Sequence, residues 1–245
     1  MAHSTTDIFS QYHYYVYQNL IQSLQLRKKG SLNLLPENNG TMLLWGPSIF
    51  IGGEFSEENG IKVVSELENS AFPRWIYYPD ETWRSFLTST FSDKLNDKYL
   101  HVYQSDSAGA ALFSGRDRCI VEVTRDFIGK NLPNTETVTE ELYSYTDTED
   151  FYRNGFGLAL VIDGTVSGYC LSEYSIRGSH GINVWVDEPY RRRGYAGKMV
   201  NAFLTHCRDR QQTAWWVCNS DNIPSNKTAV SSGFVLKAAM HYFEL

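Results

Sequence analysis

The sequence predicts a mixed α/β fold of the α+β type, and two stretches carry that prediction. Residues 182–186 alternate apolar side chains as a strand does, residues 195–211 repeat them at helical spacing, and residues 213–218 form a second apolar strand. A strand, a helix and a strand joined this closely predict parallel neighbours in one sheet. The dipeptide Asp163-Gly164 favours a tight hairpin, which makes its flanking strands antiparallel. The central sheet is therefore predicted to be mixed.

A smaller mixed α/β region, residues 1–115, is predicted to precede this sheet. Apolar residues recur every four positions from Ile8 to Leu24, which predicts a first helix, and Ser56 and Asp80 are typical helix starts. In order, we predict a helix over 5–26, strands over 42–45 and 48–51, a helix over 56–67, a strand over 74–78, a helix after Asp80 and a strand over 99–103. Small and polar residues from Ser105 to Arg118 mark the predicted boundary, so the second region spans 116–245.

The second region is predicted to begin with a strand over 119–124 and a helical region over 137–152. The hairpin strands follow at 158–162 and 166–175, and then the strand, helix and strand described above. Asp221 or Asn222 caps a last helix, which has Pro224 in its first turn and ends at Gly233. Residues 234–245 complete the sheet.

Composition indicates a globular protein with no general affinity for nucleic acid. Apolar residues make up 42% of the chain and charged residues 20%. The net charge of −6, from 22 basic and 28 acidic residues, disfavours both a nucleic-acid partner and electrostatic attraction to anionic membranes. The N-terminal residues have neither a basic nor an apolar leader segment, and no apolar run is long enough to span a membrane, so we expect a cytoplasmic protein.

The cysteines do not form a metal-binding pattern. Cys119, Cys170, Cys207 and Cys218 are scattered, without the short spacings that zinc ligands show. We therefore expect reduced and buried thiols and no metal site.

Three arginines crowd the predicted start of the helix at residue 195. A helix N-terminus carries partial positive charge, so the run Arg191–Arg193 conflicts with the local field. A bound anion would resolve the conflict, since the first-turn amides and the guanidinium groups would all face it. Gly194 and the small Ala196 would let a phosphate approach the backbone. The alternative is that the arginines form a solvated basic turn.

These residues carry a resemblance to a known family. The run from Arg191 to Ala196 matches the Gln/Arg-x-x-Gly-x-Gly/Ala signature of the GNAT superfamily of N-acetyltransferases, and Val184-Trp185-Val186 resembles the strand before it. Asn222-Ile223-Pro224-Ser225, followed by Gly233-Phe234, resembles the superfamily's next motif. The likeness covers residues 118–245 and implies a GNAT-type sheet whose two parallel strands splay apart. Shorter matches, such as Trp45-Gly46-Pro47, are similar to the zwittermicin A resistance type of GNAT protein.

The resemblance implies acetyl-coenzyme A (acetyl-CoA) as the co-substrate. Its pantetheine arm would pair with the strand backbone, and its pyrophosphate would lie on the amides that follow. Asn222 and Ser225 would contact the arm, although a helix cap explains Asn222 equally well. The predicted cofactor-binding residues are Val184, Trp185, Val186, Arg191, Arg192, Arg193, Gly194, Tyr195, Ala196, Asn222 and Ser225.

Acetyl transfer needs a base for the amine, a donor to the oxyanion and an acid for the thiolate. A backbone amide near Val186 is the predicted oxyanion donor. His180 and Glu173 are the candidate bases, with a water chain as the alternative. Many GNAT enzymes have a tyrosine acid seven residues after the motif asparagine, where this chain has Ala229. Tyr242 or Tyr195 would have to replace it.

The leading hypothesis is an N-acetyltransferase that acts on a primary amine of a small molecule, with the first region shaping the acceptor pocket or acting as a lid. The missing tyrosine motivates a second hypothesis, a non-catalytic acyl-CoA-binding or sensor module. A nucleic-acid contact through the arginine turn is disfavoured by the net charge. A second copy of the chain is a candidate partner in a homodimer.

Overall fold

The computed structural model describes residues 15–37, 40–69, 74–105 and 117–245. The chain divides into two compact units, one formed by residues 1–100 with 239–245 and the other by residues 101–238. Strands β5 (Asn96–Ser105) and β11 (Phe234–Glu244) each run from one unit into the other. The predicted boundary between residues 115 and 116 lies outside the described residues.

The first unit is a small sheet with helices. Its elements are α1 (Tyr15–Leu26), β1 (Ser31–Leu34), β2 (Thr41–Trp45), β3 (Ser48–Gly52), α2 (Glu57–Glu68), β4 (Trp75–Tyr77) and α3 (Glu81–Phe91). Strands β1, β2 and β3 form an antiparallel meander, β4 is parallel to β3, and the end of β11 pairs antiparallel with β4. Strand β1 was not predicted, and the first ten residues of the predicted helix over 5–26 lie outside the described residues.

Local capping explains where α2 and α3 begin. The Ser56 hydroxyl accepts a hydrogen bond from the Asn59 amide, and the Asp80 carboxylate accepts from the amides of Thr82 and Trp83. Both starts confirm the sequence prediction. The buried Trp83 then donates its indole N–H to the Gly53 carbonyl at 3.0 Å, which fixes α3 against the end of β3.

The second unit contains the site. Its remaining elements are β6 (Ile120–Glu122), α4 (Arg125–Gly129), α5 (Glu136–Glu140), α6 (Thr148–Asn154), β7 (Gly157–Ile162), β8 (Thr165–Ile176), β9 (Ser179–Val186), α7 (Tyr195–Asp209), β10 (Thr213–Asn219) and α8 (Ile223–Ser231). The strand order is β5-β10-β9-β8-β7-β6. Strands β6 to β9 are antiparallel neighbours, while β10 is parallel to β9, so the predicted mixed sheet is confirmed.

The hairpin between β7 and β8 turns at the predicted dipeptide. Asp163 and Gly164 have φ values of 49° and 76°, which is the left-handed pair that a tight hairpin turn requires. The helical region predicted over 137–152 is confirmed and consists of three helices: α5, a short 3-10 helix at Glu141–Ser144, and α6, which starts with Asp147 as its cap. The break before α6 brings the buried Tyr145 into the core between the last two helices.

Each face of the second unit's sheet has its own core. One face packs against α7 and contains Leu160, Cys170, Ile182, Val186, Met199, Val200, Phe203 and Leu204. The other face packs against α4 to α6 and contains Phe127, Val138, Tyr145, Phe151, Ala159, Tyr169 and Leu171. Alternation along β8 and β9 therefore sends even-numbered residues of β9 towards α7 and odd-numbered ones to the opposite face.

The structure also bears on the predictions about the thiols and about membrane-spanning segments. All four cysteines are free, with Cys170, Cys207 and Cys218 buried, and burial raises the pKa of the Cys207 thiol to about 12. Among the described residues, no group of three or more histidines, cysteines or acids is placed to bind a metal ion. No helix in the described part of the chain has the length and apolar character needed to cross a bilayer.

Candidate active site

The turn between β9 and α7 presents a row of backbone amides. Arg192 and Gly194 have φ values of 59° and 80°, and Gly194 is the cap of α7 without a side chain to accept from the first turn. The first helical hydrogen bond runs from the Lys198 amide to the Gly194 carbonyl at 3.1 Å. Within the described residues, no acceptor contacts the amides of residues 192–197. Consecutive amides of this kind bind anions, phosphates above all.

The three arginines around these amides are exposed and differ in their contacts. The Arg191 guanidinium donates from Nε to the Val186 carbonyl at 2.8 Å, so this side chain fastens the turn to the end of β9. The Arg193 guanidinium lies 5.6 Å from the centre of the Tyr190 ring. Arg192 has no side-chain contact among the described residues. Two of the three guanidinium groups are therefore held at the turn.

A fourth cation lies in the first turn of α7. The Lys198 ammonium is 2.9 Å from Asp117 and lies 5.4 Å from the centre of the Tyr195 ring. The hydrogen bond from Lys198 lowers the pKa of the Asp117 carboxyl. Lys198 could not be singled out from the sequence, because its helical position is ordinary and Asp117 is distant along the chain.

We expect Arg193→Gln to weaken acetyl-CoA binding while leaving the melting temperature unchanged, because the guanidinium is exposed. One charge-assisted contact to phosphate corresponds to roughly a tenfold rise in the dissociation constant. Titration calorimetry measures the dissociation constant of acetyl-CoA. Arg210→Gln, at the other end of α7, is the matched control and should bind acetyl-CoA like the wild type. If Arg193→Gln and Arg210→Gln bind acetyl-CoA with equal affinity, the Arg193 side chain does not contribute to the binding site.

Strands β9 and β10 part after three pairs of residues. Thr213, Ala214 and Trp215 pair with Ser179, His180 and Gly181, and no pair between these two strands follows. Both strands continue, β9 to Val186 and β10 to Asn219. The β9 edge is therefore open from Ile182 onward, and its backbone groups are available to an extended ligand. This confirms the splayed parallel strands of the predicted fold.

Hydrogen bonds at the end of β9 show which way its backbone faces. The Asp187 amide donates to the Ser167 carbonyl of β8 at 2.9 Å, so the carbonyl of the same peptide, that of Val186, faces away from β8. The hydrogen bond from Arg191 to the Val186 carbonyl agrees with this orientation. The amide of a strand residue faces the same edge as its carbonyl, so the amides of Val186 and Val184 face the opening. Trp185 lies on the other face of the sheet, stacked on Tyr169 at 5.7 Å between ring centres.

The predicted residues at the start of α8 have local partners. Asn222 caps the helix by accepting from the Ser225 amide at 3.2 Å, and the Ser225 hydroxyl accepts from the indole N–H of Trp216 at 3.0 Å. Both residues follow the free end of β10. Their contact with a pantetheine arm stays a prediction.

Asn226, which the sequence did not single out, organises this corner. Its side-chain carbonyl accepts from the Tyr103 hydroxyl at 2.6 Å and lies 2.6 Å from Nδ1 of His101. Its amide nitrogen donates to the carbonyls of Asn219 and Asn222 at 3.0 and 2.8 Å. The only sequence signal was its position beside Ser225 in the motif. Asn226 therefore joins the end of β10, the first turn of α8 and β5.

His180 lies in the closed part of the strand pair. Its Nδ1 is 2.7 Å from the Ser175 hydroxyl, and its ring packs edge-on against Phe156 at 5.3 Å. Burial lowers the pKa of His180 to about 4, partly opposed by the Gln212 amide. Six residues of strand, about 20 Å at ~3.3 Å each, separate it from Val186. The structure thus does not bring this candidate base to the open end.

Glu173 lies at the edge of the opening. It pairs with Gly181, which in turn pairs with Trp215, so it belongs to the last closed row before β9 and β10 part. Burial, and then the charge of Glu141, raise the pKa of Glu173 to about 7. A carboxylate with that pKa is suited to take a proton near neutral pH.

The proton donor remains unassigned. Ala229 lies on α8 and is fully buried as a core residue. Tyr195 is half-buried at the start of α7. Tyr242 belongs to the first unit, where it is buried and stacked on Tyr77 with 5.2 Å between ring centres. Tyr103 is the tyrosine whose hydroxyl the structure places at the first turn of α8.

Comparisons with known proteins agree with this geometry. The family model described as GNAT acetyltransferase matches residues 33–243. The uncharacterized N-acetyltransferase YdfB of Bacillus subtilis is 24% identical over 161 residues, which are 65% of this chain and 61% of that protein. The chain thus matches less than two thirds of that relative's length.

Solved structures show the same fold. A GCN5-related N-acetyltransferase-like protein from Streptococcus suis superposes with a TM-score of 0.65 and 16% identity, covering 93% of this chain and 98% of that one. A GCN5-related N-acetyltransferase from Kribbella flavida gives a TM-score of 0.59 and 13% identity, covering 92% and 95%. A tandem GNAT protein from the clavulanic acid biosynthesis pathway gives 0.59 and 10%, covering 93% and 87%.

Proposed function

Because the chain belongs to the GNAT acetyltransferase family, we propose that it transfers an acetyl group from acetyl-CoA to a primary amine of a small molecule. Acetyl-CoA binding is typical of that family. The observation that supports the proposal best is the open β9 edge leading directly into the acceptor-free amides of residues 192–197. An extended arm that ends in a pyrophosphate matches this sequence of backbone groups.

In the proposed complex, the pyrophosphate lies on the amides of residues 192–197 and the pantetheine arm follows β9 from Val186 back towards Val184. Trp185 offers the arm neither its side chain, which lies on the opposite face, nor its amide and carbonyl, which face β8. Asn222 and Ser225 border the arm from the free end of β10. The charge of Arg193 and Arg192 adds to the field at the phosphates.

The chemistry follows from the same placement. The amine nitrogen attacks the thioester carbonyl, a C–N bond forms, and the carbonyl oxygen gains negative charge that a backbone amide on the open edge of β9 stabilises. The amine proton passes to Glu173, directly or through water. The C–S bond then breaks, and the CoA thiolate takes up a proton from solvent. Glu173 returns its proton to water and completes the cycle.

A second candidate function is a non-catalytic acyl-CoA-binding module. Ala229, where many GNAT enzymes have a tyrosine acid, is the observation that favours it. The similarity of short motifs to the zwittermicin A resistance type favours the enzyme instead, with a small-molecule acceptor. Turnover separates the two candidates, because both require acetyl-CoA binding.

We expect acetyl-CoA to raise the melting temperature by several degrees, because a ligand that binds only the folded state stabilises it. Thermal denaturation with and without acetyl-CoA measures the shift. Thiol release is then followed with a set of primary amines. A shift with turnover supports the enzyme, and a shift without turnover on any amine supports the binding module. No shift at concentrations far above micromolar would contradict both.

A further inference from the structure

The sheet face opposite α7 carries two carboxylates beside the opening. Glu173 projects from β8 on this face, and Glu141 belongs to the 3-10 helix that follows α5. Their charges interact, since Glu141 is the second cause of the raised pKa of Glu173. Neither carboxylate forms an ion pair with any described residue. The protein therefore concentrates negative charge here without neutralising it.

Contacts hold Glu141 in a defined position. The Asn183 side chain donates to Glu141 at 2.8 Å from the same face of β9. Burial, and next the charge of Glu141, raise the pKa of the Tyr169 hydroxyl, which places that hydroxyl near the carboxylate. Burial, and then the charge of Glu173, raise the pKa of the Tyr143 hydroxyl to about 12. The hydroxyls of both tyrosines stay neutral at physiological pH, and they supply polar, uncharged walls.

The floor of this region depends on a missing side chain. A Cβ on Gly181 would lie 2.8 Å from Cγ of Glu173 and 2.8 to 2.9 Å from the six-membered ring of Trp215. Glycine is therefore required so that Glu173 and Trp215 can both lie over the backbone of β9. The two side chains are brought together at the last closed row before the strands part.

A hydrogen-bond donor without a partner lies close to the same place. The Trp215 side chain is 4% exposed, and its indole Nε1 is buried without a hydrogen-bond partner. Nε1 is two bonds from Cζ2, one of the ring atoms that lie over Gly181 beside Glu173. A buried N–H without an acceptor costs about 1–3 kcal/mol. Trp216, the next residue, has its Nε1 satisfied by Ser225. A ligand atom with a lone pair would satisfy the Trp215 N–H by accepting a hydrogen bond from it.

We propose that Glu141, Tyr143, Tyr169, Glu173, Asn183 and Trp215 form the acceptor pocket, and that its acceptor is a small amine with at least two amino groups and no carboxylate or phosphate. This rests on the proposed function. One amino group loses its proton to Glu173 and is acetylated, while a second, as ammonium, pairs with Glu141. Before the attack, the lone pair of the first amino group accepts from Trp215 once its proton has passed to Glu173, and the same lone pair then forms the C–N bond. An anionic group near the amine is repelled by Glu141.

Three four-carbon amines test the charge preference: diaminobutane, butylamine and gamma-aminobutyrate. We expect kcat/KM for diaminobutane to exceed that for gamma-aminobutyrate by about 100-fold or more, with butylamine between them. In Glu141→Gln, which keeps an acceptor for Asn183, KM for diaminobutane should rise by about tenfold and the preference over gamma-aminobutyrate should collapse. At a pH well above the pKa of Glu173, where this base is deprotonated in both proteins, kcat should change little. Glu140→Gln removes the same charge from the neighbouring exposed residue and should behave like the wild type.

Binding without turnover separates this proposal from the proposed function. Tryptophan fluorescence follows diaminobutane alone, without acetyl-CoA, and Trp215→Phe should weaken the binding while keeping an aromatic ring. If diaminobutane binds in a manner that depends on Glu141 but no amine is acetylated, the pocket is supported and the transfer reaction is overturned. Equal turnover of all three amines would support the transferase and overturn the charge preference. Binding unaffected by Glu141→Gln and Trp215→Phe would overturn the pocket.

Discussion

Gly194→Val is expected to raise the dissociation constant of acetyl-CoA by about 100-fold, which corresponds to ~2.7 kcal/mol of binding free energy. Gly194 has a φ of 80°, and nothing lies within 4 Å of a Cβ at this position. Valine would strain the backbone and occupy the space above the acceptor-free amides, where the phosphates are proposed to lie. Titration calorimetry with acetyl-CoA measures the effect.

Backbone strain alone must be separated from loss of the phosphate site. Gly164 has a φ of 76°, also has open space at its Cβ position, and lies in the hairpin turn between β7 and β8. Gly164→Val therefore imposes comparable strain outside the proposed site. We expect both variants to lose about 1–2 kcal/mol of stability, but only Gly194→Val to lose acetyl-CoA affinity. Equal affinities in the two variants would mean that the turn is purely structural.

Glu173→Gln is expected to lower kcat by about 100-fold or more, within the range found for removal of a general base. Glutamine keeps the shape of the side chain over Gly181 and removes its capacity to accept a proton. Acetyl-CoA binding should be unchanged, because Glu173 lies on the face of the sheet opposite α7. Steady-state kinetics and calorimetry measure both quantities. Glu140→Gln is again the matched control, and a normal kcat in Glu173→Gln would point to a water chain as the base.

The pH dependence gives a second measure of Glu173. A base works when deprotonated, so wild-type kcat/KM should rise with pH through an apparent pKa of about 7. The titratable groups that face it are Glu141, Tyr143 and Tyr169; burial and nearby negative charge raise the pKa of both tyrosine hydroxyls, which keeps them neutral in this window. Glu173→Gln should lose the rising limb.

The ionisation of Glu173 should also affect the stability of the fold, and stability should fall with rising pH where kcat/KM rises. The pKa of Glu173 is about 7 in the folded protein, above the value of about 4.3 expected for the unfolded chain. The folded state therefore binds more protons between these values, and stability falls as pH rises through that window. Above pH 7 the variant Glu173→Gln should melt at a higher temperature than the wild type, and near pH 4 the difference should vanish.

The sequence predicted the elements whose signals are local. Caps at Ser56, Asp80 and Asn222, the hairpin at Asp163-Gly164 and the crossover from β9 through α7 to β10 are all present. Each depends on residues within a few positions of one another, so propensity and periodicity were sufficient. The amide turn was predicted for the same reason, since its glycine and its helix start are adjacent in sequence.

The features that were missed depend on contacts distant in sequence. Glu141 lies near Glu173 only because the 3-10 helix after α5 packs against β8, a contact that the helical pattern of residues 137–152 could not show. His180 titrates in the useful range in water, but burial beside Phe156 in the closed part of the strands changes that. Asn226 gained its importance from Tyr103 and His101, which come from β5.

The hydrogen bond from Arg191 to Val186 also limits where an extended molecule can stop on β9. Because the Val186 carbonyl is already occupied, an amide chain sliding along the open edge finds a free donor and acceptor at Val184 but only a free donor at Val186. A slip of two residues would leave one ligand amide facing an occupied carbonyl. The Arg191 contact thus favours one register of an extended chain on β9, in which the chain pairs with both backbone groups of Val184 and with the amide of Val186.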